Sequence, residues 1–305
     1  MRAFADVDVR LALPRPDLLA AIGAYDAIVV KSVVRVDAEL LDAASRLRAV
    51  ARAGVGLDNI DVAGAQRRGV PVLHTPRSNA NAVGEFTVAL ILMLLRNVVA
   101  ATDGVSRGDF RRHLVEGREL GSLAVGIVGM GHAGAAVARH LGGFGCKLLA
   151  TDPAPADRGA FLALGGEFCP LRDLLGRSDV VTLHVPLTDE TRGLIGERTL
   201  PWMKPGAILI NTARGAVVDA AALLKAIDAG TVGAAAFDTL SPEPPHDLPP
   251  EMHSFDHPLL RHPKVLVTPH MGASTAEAQR RIGMELSKKL ATLLMQPDER
   301  RRSIG

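Results

Sequence analysis

The chain has 305 residues, 48% of them hydrophobic and 22% charged, and a formal net charge of +2. Such a length holds two domains or one large α/β domain, and such a composition supports a sizeable core. A near-neutral balance with no polybasic run except Arg300–Arg302 argues against nucleic acid or a membrane surface as a partner.

At the N-terminus, "MRAFADVDVR" lacks the apolar stretch of a signal peptide, and Asp6 and Asp8 argue against a transit peptide. Short β-branched runs then alternate with Ala- and Leu-rich stretches. "AIVVKS" (27–32) precedes a helix at 37–45, "LRAVARAG" (47–54) one at 60–67, and "VPVLHTP" (70–76) a long one at 80–101. The most apolar stretch, Phe86–Leu95, is too short to span a bilayer. Further strands are expected in "LAVGIVGMG" (123–131), "CKLLATDP" (146–153), "DVVTLHVP" (179–186), "GAILINTA" (206–213), "VGAAAFDT" (232–239) and "KVLVTPH" (264–270). Apolar strands separated by helices predict parallel sheets covered on both faces, which is doubly wound α/β architecture, here in two sheets. The Pro-rich residues 241–258 read as an exposed loop, and several histidines within 246–262 as loop residues. Cys146 and Cys169 lack metal-ligand spacing and read as buried, reduced thiols of a cytoplasmic protein without a metal.

Within "GIVGMGHAG", Gly129, Gly131 and Gly134 follow a strand and open an Ala-rich helix at 133–141. The first glycine permits a tight turn, the second lets backbone approach a pyrophosphate, and the third allows close helix–strand packing. Asp152 ends the next strand, 18 residues after Gly134, where a carboxylate bonds ribose hydroxyls and repels a 2′-phosphate. NAD(H) is expected rather than NADP(H), with Arg158 nearby as a group that tolerates phosphate. A Gly-rich turn that binds nothing is the plain alternative.

Three residues are suited to anion and proton chemistry. Arg214 ends the apolar run "AILINTARG" and, always charged, needs an anion, from the protein or from a ligand. Glu243 follows Asp238 by five residues, and His270 sits in "VTPHMGAST". A carboxylate beside an imidazole favours the imidazolium, the better proton donor to a carbonyl oxygen. An anion clamp, an acid and its tuner are what hydride transfer to a 2-oxo acid requires. A structural ion pair, a solvated loop charge and a satisfied histidine are the respective ordinary roles, and spacing alone does not choose among ten histidines.

The chain resembles the D-isomer-specific 2-hydroxyacid dehydrogenases, most closely their phosphoglycerate branch. The resemblance runs from about Tyr25 to Lys289 and rests on "ARAGVGLDNID" (51–61), "NANAVGEFTVALIL" (79–92), "GIVGMGHAG" (126–134), "LHVPLTDETRGLI" (183–195), "LINTARGAVVD" (209–219), "EPP" (243–245) and "TPHMGASTAEAQ" (268–279). It implies a flavodoxin-like substrate domain, 1–96 plus 275–305, and a Rossmann NAD-binding domain, 97–274, with hinge closure of the cleft between them. Arg214 then binds the substrate carboxylate and carbonyl, His270 is the acid/base, Glu243 its partner, and the N–H groups of Val55 and Gly56 form an anion nest. Cofactor contacts fall on Gly129, Met130, Gly131, His132, Ala133, Gly134, Asp152, His184, Val185, Pro186, Thr191, Thr212, Ala213, Arg214 and Asp238. A homodimer joined through the cofactor domain is implied as well.

The chain departs from the family pattern in three places. It starts at the strand "VDVRLAL" (7–13), where the family normally has a preceding βα unit: either the true start lies upstream of Met1, or that unit is missing and an exposed sheet edge is expected. It ends soon after the return helix, so no regulatory domain and no allosteric serine inhibition are expected. Phe110 replaces the family's tryptophan before the Gly-rich strand.

Arg52, where phosphoglycerate enzymes carry a cation, together with Lys31 and Arg35, favours a dianionic substrate, 3-phosphoglycerate/3-phosphohydroxypyruvate, and a place in serine synthesis. Lys31 and Arg35 also read as ordinary surface charges. Hydroxypyruvate/glyoxylate reduction is the second reading. A dinucleotide-sensing co-repressor-like protein is an alternative of another class, as is an inactive remnant. Glu243 argues against formate oxidation, which uses a neutral amide at that place.

Overall fold

A computed structural model of the chain describes residues 1–11, 13–244 and 255–296. The chain divides into two compact units, Met1–Asn79 with Ala276–Gly305, and Ala80–Thr275.

The first unit holds a three-stranded parallel sheet in the order β1 (Ala27–Val30), β2 (Ala49–Arg52), β3 (Val72–Leu73). Helices α1 (Arg15–Ile22), α2 (Ala38–Ala43) and α3 (Val62–Arg67) supply the core on one face, around Ile22, Val30, Leu40 and Val50. The other face is covered by α10 (Ala276–Leu294), whose Ile282, Leu286 and Leu290 pack on Ala49 and Ala51. Alternate residues of β2 thus bury opposite ways, which explains its continuous apolar character. Asp37 and Asp61 start α2 and α3 by accepting the N–H groups of Leu40 and Gly64. The Arg48 guanidinium donates to the carbonyls of Leu293, Leu294 and Gln296, closing the end of α10.

The expected strand at 7–13 does not form among the described residues. Val9 and Leu11 are exposed, and Asp8 pairs with Arg10 and Tyr25, so the segment buries too little to hold a strand.

The second unit is a seven-stranded parallel sheet in the order β10-β9-β8-β7-β4-β5-β6. Its strands are β4 (Ala124–Val128), β5 (Lys147–Thr151), β6 (Glu167–Phe168), β7 (Val180–Leu183), β8 (Ala207–Asn211), β9 (Val232–Phe237) and β10 (Val265–Val267). Strand order reverses between β4 and β7, and ligands of such sheets bind beyond the C-terminal strand ends at that reversal. Helices α4 (Ala80–Leu95), α5 (Val98–Ser106), α6 (His132–Leu141), α7 (Arg158–Ala163), α8 (Leu171–Arg177) and α9 (Ala220–Asp228) belong to this unit.

The helix expected over 80–101 is two helices, bent by 62°. Asn97 breaks it by adopting the left-handed conformation, φ 51°. Helix α4 groups with the second unit rather than with the first, where residues up to 96 were expected. A methyl at Gly84 would lie 2.8 Å from His140 and 3.1 Å from Ala136 of α6, so the two helices pack at close range. The two-residue β6 was not anticipated. No single helix among the described residues is long and apolar enough to cross a membrane.

Candidate active site

The turn after β4 is built around its glycines. Gly129 has φ +95°, and a methyl there would lie 2.7 Å from the carbonyl carbon of His184, so glycine lets the loops after β4 and β7 meet. A methyl on Gly134 would reach 2.0 Å from the Gly129 oxygen. Beside Gly131 there is open space. Two of the three glycines are thus demanded by the protein's own backbone, and the third leaves room for a ligand. His132, Ala133 and Gly134 open α6, whose start carries no side-chain cap, leaving amide groups to an anion.

Asp152 follows β5. Its Oδ2 accepts the Met130 N–H at 2.6 Å and its Oδ1 the Ala154 N–H at 2.7 Å. A carboxylate has about four acceptor sites, so it can fix the turn and still receive ribose hydroxyls. Met130 itself is buried. Arg158 stacks on the Phe168 ring, 4.4 Å from its centroid. These residues fit a dinucleotide.

Across the strand-order reversal, the His184 N–H donates to the Val128 carbonyl at 2.7 Å. Its ring pairs through Nε2 with the Thr182 hydroxyl at 2.9 Å, while Nδ1 is buried without a partner among the described residues. Burial pushes the imidazole down to about 3, so it is neutral. In the Val185–Pro186 loop, the Thr191 hydroxyl donates to the Pro186 carbonyl at 2.6 Å and accepts the Thr188 N–H.

Arg214, Glu243 and His270 follow β8, β9 and β10, three neighbouring strands. Asn211, fully buried, donates to the Arg214 carbonyl at 2.8 Å and accepts the Ala213 N–H at 3.0 Å, so one side chain shapes the Arg214 turn. The guanidinium donates to the Ala213 carbonyl at 2.7 Å, and the Thr212 hydroxyl lies 3.0 Å from that of Thr87. His270 Nδ1 contacts Glu243 Oε1. Both side chains are partly exposed. The backbone of His270 is left-handed, φ 55°, a conformation that needs support outside glycine.

Asp238 provides that support. It is 2% exposed and accepts the Thr268 hydroxyl at 2.6 Å, the Met271 N–H at 2.9 Å and the Gly272 N–H at 2.8 Å. Assigned from the sequence only as a cofactor contact, it organises the loop that presents His270. Asn211 and Thr268 were not singled out at all. A polar residue ending an apolar strand run was the available signal for both.

The histidines of 246–262 divide. His246 and His253 lie outside the described residues, and His262 is near Asp228. His257, expected in an exposed loop, is 5% exposed, because its ring nitrogens bond the chain on either side. Cys146 and Cys169 are half-buried thiols, both raised by burial.

In the first unit, register pairs Val30 with Arg52, so Lys31 and Arg52 end adjacent strands. Arg52 is only 6% exposed and donates to the Ala53 carbonyl at 2.6 Å. Gly54, φ +150°, lies against it: a methyl there would be 2.6 Å from Arg52 Nη1. Val55 and Gly56 follow directly, and the Val55 carbonyl is 3.2 Å from His74 Nδ1. Lys31 and Arg35 are exposed. The Arg35 carbonyl takes a bond from Arg15, in the turn leading to α2.

Residues 88–272 match the D-isomer specific 2-hydroxyacid dehydrogenase, NAD binding domain. The chain is 43% identical over 280 residues to a D-3-phosphoglycerate dehydrogenase of Mycobacterium bovis, covering 92% of this chain and 51% of that relative. It is 39% identical over 278 residues to a hydroxypyruvate reductase of Thermotoga maritima, covering 91% and 88% respectively. The chain thus spans about half the length of the phosphoglycerate dehydrogenases it matches. Among solved structures, a D-lactate dehydrogenase from Aquifex aeolicus complexed with NAD and lactic acid superposes with a TM-score of 0.83 at 31% identity, covering 93% of this chain and 86% of that one. The cofactor unit is an NAD-binding Rossmann domain, and the chain belongs to the D-isomer-specific 2-hydroxyacid dehydrogenase family.

Proposed function

We propose that the protein is an NAD-dependent dehydrogenase that interconverts a D-2-hydroxy acid and its 2-oxo acid. The observation that carries this reading is the His270–Glu243 contact, made by residues that follow β10 and β9, next to the strand that leads to Arg214. NAD, when bound, supplies the hydride acceptor and, reduced, the hydride donor for substrate C2. Gly129–Gly134, Asp152, the His184–Pro186 loop and Thr212 hold it, with Thr191 bracing that loop from within. Arg214 binds the substrate carboxylate and carbonyl oxygen by its planar fork. His270 Nε2 gives a proton to the C2 oxygen during reduction and takes it back during oxidation. Glu243 fixes the ring through Nδ1 and offsets its positive charge in the protonated form.

The substrate is 3-phosphoglycerate/3-phosphohydroxypyruvate. Support comes from the first unit, where the Val55–Gly56 amides suit a carboxylate and the buried Arg52, with Lys31 one rung away, suits a second anion. Arg35 belongs to this set by charge alone. A specific observation keeps hydroxypyruvate reduction as the second reading: the relative of that name is matched over 88% of its length. The protein is cytoplasmic, in keeping with its thiol cysteines. It is a homodimer through the NAD-binding unit. None of the residues of α5 is buried, and Val98, Val99, Val105, Phe110 and Leu114 are exposed there, as a dimer surface requires.

The test is NADH oxidation at neutral pH with phosphohydroxypyruvate, hydroxypyruvate, glyoxylate and pyruvate side by side. Preference for the phosphorylated acid supports the reading. Activity on the small acids alone keeps the chemistry and removes that substrate. NADH binding without turnover of any acid overturns the enzyme reading in favour of a sensor.

A further inference from the structure

His257 is a buried histidine with no part in the chemistry above. Its Nδ1 accepts the Leu259 N–H at 3.3 Å, starting a short helical turn over Pro258–Arg261. That bond places the ring proton of the neutral imidazole on Nε2. Nε2 in turn lies 3.3 Å from the carbonyl of Ser241, as donor to acceptor. The ring also stacks on Phe255, with centroids 6.2 Å apart and planes within 16°. Ser241 stands two residues before Glu243 and directly follows Leu240, which touches Gly215 of the Arg214 turn. Gly215, Leu240, Ser241, His257 and Leu259 line one small cavity of about 120 Å³.

We propose that His257 is a positioning residue that latches the arm carrying Glu243: its Nε2–H holds the Ser241 carbonyl, so that Glu243 meets His270 at a fixed point. The proposal rests on the dehydrogenase reading for its kinetic consequence and on geometry alone for its structural one. Glu243 has partly exposed surroundings and reaches His270 from a loop, so its aim depends on how the loop base is tied. Two bonds to one ring give the latch separable halves. The Nδ1 half organises 258–261, which a stable fold needs. The Nε2 half constrains 241–243, which only the pairing of Glu243 with His270 needs.

The test compares His257→Asn, which keeps an acceptor near Nδ1, with His257→Gln, which keeps a donor near Nε2, in the full-length protein. The latch predicts for His257→Asn a kcat fall of roughly tenfold or more, with KM for NADH within about twofold. Amide hydrogen exchange over 238–243 should quicken in the same variant. For His257→Gln it predicts kcat and exchange close to wild type, with Tm lowered by no more than about 2–4 °C. Unchanged kcat and exchange in His257→Asn would overturn it, as would losses of kcat in both variants that merely track Tm. If the wild type reduces none of the acids, the dehydrogenase reading fails by itself. The exchange contrast between the two variants then still decides the latch.

Discussion

Gly215 and Leu240 meet backbone to backbone: a methyl added to Gly215 would lie 2.2 Å from the Leu240 carbonyl carbon and 2.5 Å from its oxygen. The loops after β8 and β9 are thereby set against each other, and Arg214 and Glu243 lie just outside the contact. Gly215→Ala should cost about 1–3 kcal/mol of stability through overpacking, with a fall in kcat larger than the stability loss explains. Wild-type turnover in a folded Gly215→Ala protein would show that the contact does not set the spacing of the two loops.

His270→Asn removes the imidazole proposed to move the substrate proton. A drop in kcat of roughly 10²–10⁴-fold is expected, with NADH binding, read by fluorescence, intact. Turnover at the wild-type rate would refute the acid/base assignment.

Arg214→Lys keeps the charge and loses the fork. Because a lysine ammonium binds as a point charge rather than bidentately, kcat/KM for the oxo acid should fall while KM for NADH stays near its original value. A normal kcat/KM would remove Arg214 from the clamp.

Asp152→Ala should weaken NADH and relax discrimination against NADPH. The carboxylate also ties down Met130 and Ala154, so the loss for NADH is expected to exceed that of a ribose contact alone. Titrations of both cofactors check this, and equal wild-type affinities for the two would undo the NAD preference.

His184 yields a pH prediction. Its imidazole is lowered to about 3 in the folded protein and titrates near 6.5 when unfolded. The unfolded state therefore binds more protons between those values, and stability must fall as pH drops through that window. Above the unfolded value the contribution is complete. His184→Gln should flatten the acid limb of a plot of Tm against pH, and the wild-type ring should show no titration by NMR from neutral pH to about pH 5. A ring that titrates near 6.5 would place it in water.

The strand ends and the Arg, Glu and His they carry were legible in the sequence because parallel sheets write their strands as unbroken apolar runs that stop at polar or small residues. The Gly-rich turn was legible for a related reason: a close backbone approach leaves glycine no substitute. The turn at Asn97 was hidden inside an apolar stretch, where one asparagine in a left-handed conformation outweighs helix periodicity. The loop-organising part of Asp238 and the burial of His257 were not legible, because each is decided by partners distant in sequence, Gly272 for one and Ser241 for the other. Residues 7–13 alternated like a strand, but alternation forms one only where a neighbour and a core receive it.

The placement of α10 has a consequence for how the protein is made. Ala49 and Ala51 of β2 are covered by Ile282, Leu286 and Leu290, and Arg48 closes the end of that helix. More than two hundred residues separate the two halves of this small core. During synthesis β1, β2 and β3 emerge before α10 and keep one apolar face bare until that helix leaves the ribosome. The intervening unit, contiguous in sequence, has everything it needs to fold in the meantime. The sheet of the first unit is thus translated before the second unit yet completed after it, and chaperones have that interval in which to act on the bare face.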